Sequence, residues 1–326
     1  MIEILSSTAL ATVQDLGRTG SLRFGVGTAG AMDQLALSVG NLLLGNAPGA
    51  AGIEIPVFPF QARFTADCAF ALTGADGSAT LDGVPLMPWW VQQARAGQVL
   101  SLGLPVAGSG SRAYLALAGG LDVPEVLGSR STQLRGSFGG QQGRALKQGD
   151  VLNAGAPGLQ RDVDFGVVPP AVALPLQVDG LAAIRVLPAA EYLNYQPASR
   201  DAFWAGTWKI TAQSDRYGFR LQGEPLLPMA PMEIRSHGIV PGVIQVPPGG
   251  QPIVQMRDAQ PSGGYPKFGT VIEADLWRLG QAAAGSRVRF VETTYDEAVA
   301  ALAASQAWLD EVHRLVELQR WALQRS

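Results

Sequence analysis

The sequence predicts a mainly β protein with few helices and one long helix at its C-terminus. Three observations predict this. Forty glycines and 22 prolines among 326 residues recur at short intervals. Between them lie brief runs of β-type residues, and only two segments carry helical periodicity. Short strands separated by turn chemistry favour barrels or sandwiches over repeated strand–helix–strand units.

The strand candidates, in order, are "IEIL" (2–5), "RFTADCAFALTG" (63–74), "RAYLALAGG" (112–120), "WKITAQS" (208–214) and "SRVRFVET" (286–293). The first helix is expected over 33–44, with Asp33 as N-cap and Leu35, Val39, Leu42 and Leu43 on one side. The second begins at Thr294, where Glu297 three residues on completes a capping box. Leu302, Leu309, Val316 and Leu323 repeat every seven residues along it, with Trp308 and Val312 beside them, so an apolar stripe needs a surface to lie on. Proline-rich sequence between the halves marks a linker. "TVQDLGRTG" (12–20) and "TAQSDRYG" (211–218) share a Thr-x-Gln start and a later Arg, a hint of duplication.

Charge and composition exclude several classes. A net charge of −3 leaves no electrostatic footprint for nucleic acid. The one cysteine, Cys68, cannot form a disulfide within the chain and reads as a small buried hydrophobe. One cysteine and two histidines cannot assemble a Cys/His zinc site, and no metal is expected. The N-terminus lacks a basic segment and a long apolar core, and no run of eighteen apolar residues occurs, so a soluble cytoplasmic protein is expected.

Gly25, Gly27 and Gly30 match the spacing of a dinucleotide-binding turn, with Glu54 beyond as the acidic residue. The context does not fit. "GSLRFGV" carries Arg23 where a strand buried on both faces would stand, no strand–helix alternation follows, and Pro56 flanks Glu54. A Walker-type loop is also absent. "GVGTAGAMD" (25–33) reads instead as a barrel loop meeting a helix.

Polar chemistry concentrates in a few loops. In "RDAQPSGGYPKFG" (257–269), Asp258 can accept hydrogen bonds and Gln260 can donate and accept, which suits a small polar ligand with groups of both kinds. Gly263 and Gly264 permit close backbone approach and positive φ, and their amides could form an anion nest. Tyr265 could orient or protonate a bound oxygen, and Lys267 is one of only three lysines. A tight turn around a buried tyrosine would explain the same residues. Ser214 and Arg216 in "SDRYGFR" offer either an internal ion pair with an Asp or a bidentate clamp for a carboxylate or phosphate. Arg130, Ser131 and Arg144, in "LGSRSTQLRG" and "GGQQGR", make an anion-binding surface or ordinary turns. Gln245, polar within an apolar strand, is a satisfied core amide or a ligand contact. His237 reads as a turn or capping residue, His313 as a surface residue, and Trp89-Trp90 as packing or interface.

Eight stretches in order resemble the 5-oxoprolinase C-subunit family, also known as KipA or allophanate hydrolase subunit 2: "TVQDLGRTG", "GVGTAGAMD", "RAYLALAGG", "LGSRST", "GGQQGRALKQGD", "SDRYGFRLQG", "GVIQVPPGGQPIV" and "DAQPSGGYPKFGTVIEADL". The similarity runs from about residue 8 to 292. It implies two cyclophilin-like β-barrel domains, at 1–165 and 186–292, joined by a linker at 166–185 and followed by the helix at 293–326. It also implies two partners, one KipI-like and one LamB/YcsF-like, which share ATP with this chain in opening 5-oxoproline to glutamate. On this reading Asp258, Gln260 and Tyr265 are catalytic, and Arg216, Ser214, Gln245, Gly263, Gly264, Lys267, Arg130, Ser131 and Arg144 bind substrate. One alternative is a component of a biotin-dependent carboxyltransferase acting on urea or a related amide, with biotin carried by another protein. Another is a non-catalytic regulator of a KipI-like kinase inhibitor. Gly27 and Pro261 stand where the family pattern has Pro and Thr.

Overall fold

The computed structural model describes residues 1–7, 10–156 and 165–325, with side chains described to residue 322. Residues 157–164, at the end of the first expected domain, and the side chain of Leu323 lie outside the described part. The chain divides into two compact units. One comprises Met1–Arg18, Ala29–Ala173 and Gln306–Ser326, the other Thr19–Thr28 and Leu174–Ser305.

The first unit is two antiparallel sheets. One runs in the order Val151–Leu152, Ile2–Ser7, Phe60–Phe64, Val99–Leu102, Thr80–Leu81 and Val84–Pro85. The other runs Thr12–Gln14, Gly52–Ile55, Ala113–Leu117, Cys68–Gly74 and Val91–Ala94. The period-2 alternation of a strand decides what each face buries. Ala113, Leu115 and Leu117 join Phe60, Phe64 and Phe70 in one core. Tyr114 and Ala116 face the other way, onto the helix Gln34–Leu43 through Ala36, Leu37 and Val39. The expected run 63–74 is two strands broken at 65–67. Cys68 is half-buried, and burial pushes its thiol pKa up. Trp89 is buried and donates its indole N–H to Gly74 O at 3.1 Å, so it is packing.

The second unit closes. Its strands run Leu181–Pro188, Lys267–Val271, Val243–Gln245, Ile253–Gln255, Gly218–Gln222, Trp208–Ile210 and Arg287–Glu292. Arg287–Glu292 then pairs in parallel with the first of these, Ala183 opposite Arg289 through Val186 opposite Glu292. The seven-stranded ring has no free edge among these strands, which removes the hazard of unpaired backbone. Its aromatic core centres on Phe203, which stacks on Phe290 at 4.9 Å and lies 4.5 Å from Phe268.

Two helices stand where their caps place them. Asp33 accepts from Ala36 N at 2.9 Å. At the second, Glu297 accepts from Thr294 N at 2.8 Å while Thr294 Oγ accepts from Glu297 N at 3.3 Å, a complete capping box. That helix spans Tyr295–Arg325. Its stripe differs from the expected heptad: Leu302 is exposed, and the buried positions are Ala301, Ser305, Val312 and Val316 with Trp308 and Leu309 at the margin. A straight helix repeats every 3.6 residues, and small residues carry the contact expected of Leu302. Further helices stand at Pro170–Ala173, Pro197–Ala205 and Leu276–Gln281, where the sequence pattern predicts none. The longest of these starts at Gln196, which makes no side-chain cap bond, so its sequence gives no start signal beyond a proline at N1. Among the described residues no helix is long and apolar enough to cross a membrane.

Candidate functional site

Glu54, the acidic residue of the nucleotide-like spacing, serves the fold. Its strand is antiparallel to both neighbours. It is fully buried, and Oε2 accepts from Met32 N and from the Tyr114 hydroxyl, each at 2.8 Å. Burial, reinforced by Glu54, pushes the Tyr114 pKa well up and keeps that phenol protonated as a donor. Of the three glycines only Gly30 stands in the same unit as Glu54. Gly30 has φ +93°, and a Cβ there would lie 2.8 Å from Gly17 N, so only glycine fits.

Arg130, Ser131 and Arg144 also sit in the first unit. Ser131 is buried and donates to Asp15 Oδ1 at 2.5 Å, while its own amide donates to Ser129 Oγ. Arg130 donates Nε to Val123 O at 3.1 Å and lies 3.4 Å from Glu125. Arg144 grips Asp150 bidentately at 2.7 and 2.8 Å, which holds the Asp150 carboxyl below its usual pKa. Ser131 ties its loop to the turn at Asp15, while the side chains of Arg130 and Arg144 brace their own loops.

The remaining candidates gather in the second unit as two neighbouring clusters. In the first, Arg216 and Asp258 are both buried and form a bidentate pair, Nε to Oδ2 at 3.0 Å and Nη2 to Oδ1 at 2.9 Å. The backbone reinforces it, with Asp258 N donating to Arg216 O at 2.8 Å. Of the two readings open in the sequence, the internal ion pair is the one formed. Tyr217, within the quoted motif but not singled out, donates its hydroxyl to Gln260 Oε1. Ser214 closes its own turn, accepting from Arg220 N at 3.0 Å and donating to Arg220 O at 3.3 Å.

The second cluster surrounds Gly263. A short ladder sets His237–Gly238 against Ser262–Gly263, with His237 opposite Gly263. Gln245 is buried at the end of its strand, where the register against Lys267–Val271 shifts, and such an irregularity re-aims a side chain. Its Nε2 donates to Tyr265 O at 3.4 Å. Gly263 lies directly on this amide: a Cβ would come within 2.4 Å of Nε2. Close approach is thus the reason for Gly263. Neither Gly263 nor Gly264 has a positive φ, so the expected anion nest is not formed. Lys267 is 6% exposed, yet among the described residues its Nζ meets only Gly263 O and His237 Nδ1, each at 3.2 Å. Its backbone N–H donates to Glu191 Oε2 at 3.1 Å. Burial lowers the Lys267 pKa, and Glu191 opposes that shift. Tyr265 is 47% exposed and His237 is exposed, so the cluster opens to solvent.

Sequence reading missed His237, Tyr217 and Glu191 as members of these clusters. For His237 the signal was its rarity. For Tyr217 it was its place beside Arg216. Glu191 carried none. The assembled groups can hydrogen-bond both polarities of a small amide and move a proton beside it.

The fold and motifs place the chain in a class of carboxyltransferase-type domains. Residues 24–292 match the carboxyltransferase domain family, subdomains A and B, and the chain belongs to that family. It is 41% identical to the C subunit of 5-oxoprolinase from Haemophilus influenzae over 317 residues, which cover 97% of this chain and 99% of the relative. The corresponding Escherichia coli protein is likewise 41% identical, over 312 residues. The crystal structure of Kluyveromyces lactis urea carboxylase superposes with a TM-score of 0.86 at 30% identity. It covers 95% of this chain, which spans only 29% of that larger one.

Proposed function

We propose that the chain is the C subunit of an ATP-dependent 5-oxoprolinase, binding and activating 5-oxoproline for ring opening to glutamate together with two partner subunits. The observation that carries this reading is end-to-end likeness to proteins named as the 5-oxoprolinase C subunit, at 41% identity over 97% of the chain. The chemistry is compatible. A lactam presents one N–H donor and one carbonyl acceptor on adjacent atoms, and Gln260, Tyr265 and Lys267 supply partners of both kinds. Gln260 and Tyr265 engage the lactam, Asp258 fixes their loop through Arg216, and Gln245 sets the position of Gly263 and Tyr265. ATP is shared between this chain and the partner subunits, and this chain carries no Walker-type loop of its own. The test is reconstitution with a KipI-like partner and a LamB/YcsF-like partner. Glutamate should form from 5-oxoproline and ATP only when all three proteins are present, and its formation without this chain would overturn the proposal.

A second reading is carboxyl transfer to a small amide, favoured by the likeness to a urea carboxylase over 95% of this chain. None of the three lysines follows a methionine, so the biotin would arrive on another protein. Carboxylation of urea in the presence of a biotinylated carrier, without glutamate formation from 5-oxoproline, would select this reading. A purely regulatory protein would bind its partner equally well after Tyr265→Phe and show no heat of ligand binding.

A further inference from the structure

We propose that Lys267 and His237 act as one acid–base pair, Lys267 exchanging a proton with the amide nitrogen of the substrate and His237 relaying protons between Lys267 and water. This rests on the reading of the chain as one that acts on a lactam or amide.

A lysine buried for structural reasons is normally neutralised by a carboxylate. Lys267 is not. Its Nζ contacts are Gly263 O and His237 Nδ1, and among the described residues no carboxylate lies within ion-pair distance of it. Glu191, the acid beside it, accepts the backbone N–H instead. The other ionisable side chains on the segments around Nζ are Arg235, His237 and Tyr265.

Proton bookkeeping at His237 couples the two groups. Nδ1 lies 3.1 Å from Arg235 O and 3.2 Å from Lys267 Nζ. A carbonyl oxygen can only accept, so the Arg235 contact needs a proton on Nδ1. With that proton in place, Nδ1 has no lone pair for Nζ, and Nζ faces it best as a neutral amine. When Nδ1 is bare it accepts from Nζ–H. One proton therefore serves both groups, and the imidazole that shares it is exposed to solvent. Burial of the ammonium shifts the balance toward the neutral amine.

Either proposed reaction needs such a group. In ring opening water adds to the lactam carbonyl carbon, and the C–N bond breaks with its electron pair passing to nitrogen. The protonated Nζ supplies the proton that nitrogen takes up, and the proton shed by the added water goes to solvent. The neutral amine left behind is reprotonated from water through His237. In carboxyl transfer the direction reverses: neutral Nζ takes the amide proton as the new N–C bond forms, while the bond from the carboxyl carbon to the biotin nitrogen of the separate carrier breaks and its electron pair stays on that nitrogen. No oxidant or reductant is required.

Three lysines and two histidines make a direct measurement practical. Lysine labelled at Cε and Nζ gives three resonances in NMR of the full chain. The Lys267 resonance should titrate below the usual lysine pKa of about 10.4, and His237→Ala should move that titration. A Lys267 titration at or above the usual lysine value, or no response to His237→Ala, would overturn the pair, whatever the reaction is. In the reconstituted complex, Lys267→Met should lower kcat about 100-fold or more, with KM changed less. Lys267→Arg should not rescue it, because a guanidinium does not release its proton. His237→Ala should displace a limb of the pH–rate profile and recover in part with added imidazole. Normal turnover by folded Lys267→Met would sink the assignment. A wild-type complex inactive in both assays would instead refute the proposed function, and the titration would still decide the pair.

Discussion

The two units share one way of treating buried charge and differ at a single lysine. In the first, the carboxylates of its motifs are enclosed by donors. Asp15 accepts from Gly17 N at 2.7 Å, Ser129 Oγ at 2.7 Å, Ser131 Oγ at 2.5 Å and Arg130 N at 2.6 Å. Glu54 does the same for the loop entering the first helix. In the second unit Arg216 and Asp258 form a comparably closed pair, but Lys267 is buried without a carboxylate at its amine. Polar motifs that look alike in sequence thus separate by whether their hydrogen bonds close within the fold. Where they close, the residues hold loops; where they do not, chemistry is left over.

The largest expected effect breaks the closed side of this comparison. Asp15→Ala leaves two hydroxyls and two backbone N–H groups without their acceptor, and should cost at least about 3 kcal/mol in urea denaturation. A loss under about 1 kcal/mol, the range of ordinary surface changes, would mean the network is not closed. Arg216→Met should cost a similar amount, about 3 kcal/mol, because it strands a buried carboxylate. Adding Asp258→Leu should restore most of that stability. A double mutant no more stable than the single one would show that the pair does more than neutralise itself.

Gly263→Ala sharpens the open side. Its Cβ would press on the Gln245 amide, costing about 1–3 kcal/mol in thermal or denaturant unfolding, and a variant as stable as the parent would refute the close approach. The smallest effect concerns pH. The Asp150 pKa is lowered in the folded state by Arg144, so the unfolded state binds its proton first as pH falls. The resulting stability is fully present above the unfolded carboxyl pKa, about 3.9, and is lost as pH drops through the lower folded value. Arg144→Gln should flatten this acid limb and change stability at pH 7 by about 1 kcal/mol or less. An unchanged limb would contradict the assignment.

Much of the fold is legible where the signal is local. Asp33, and Thr294 with Glu297, mark helix starts because their side chains satisfy amides within three residues. Barrel closure is not legible, because the pairing of Ala183 with Arg289 joins segments about a hundred residues apart and leaves no periodic trace. The heptad through Leu302 misleads because burial follows Ala301 and Ser305, residues too small to stand out. At the site, residue types in 257–269 point to chemistry, but their partners do not. His237 lies 30 residues before Lys267, and the ladder that sets His237 opposite Gly263 brings them together.

The most direct test measures turnover and stability together in the complex reconstituted with the two partner subunits. The wild-type chain should support glutamate formation from 5-oxoproline and ATP, and Lys267→Met, melting at the same temperature, should support it about 100-fold less or worse. Equal turnover by the two chains, or no glutamate with the wild type, would contradict the account.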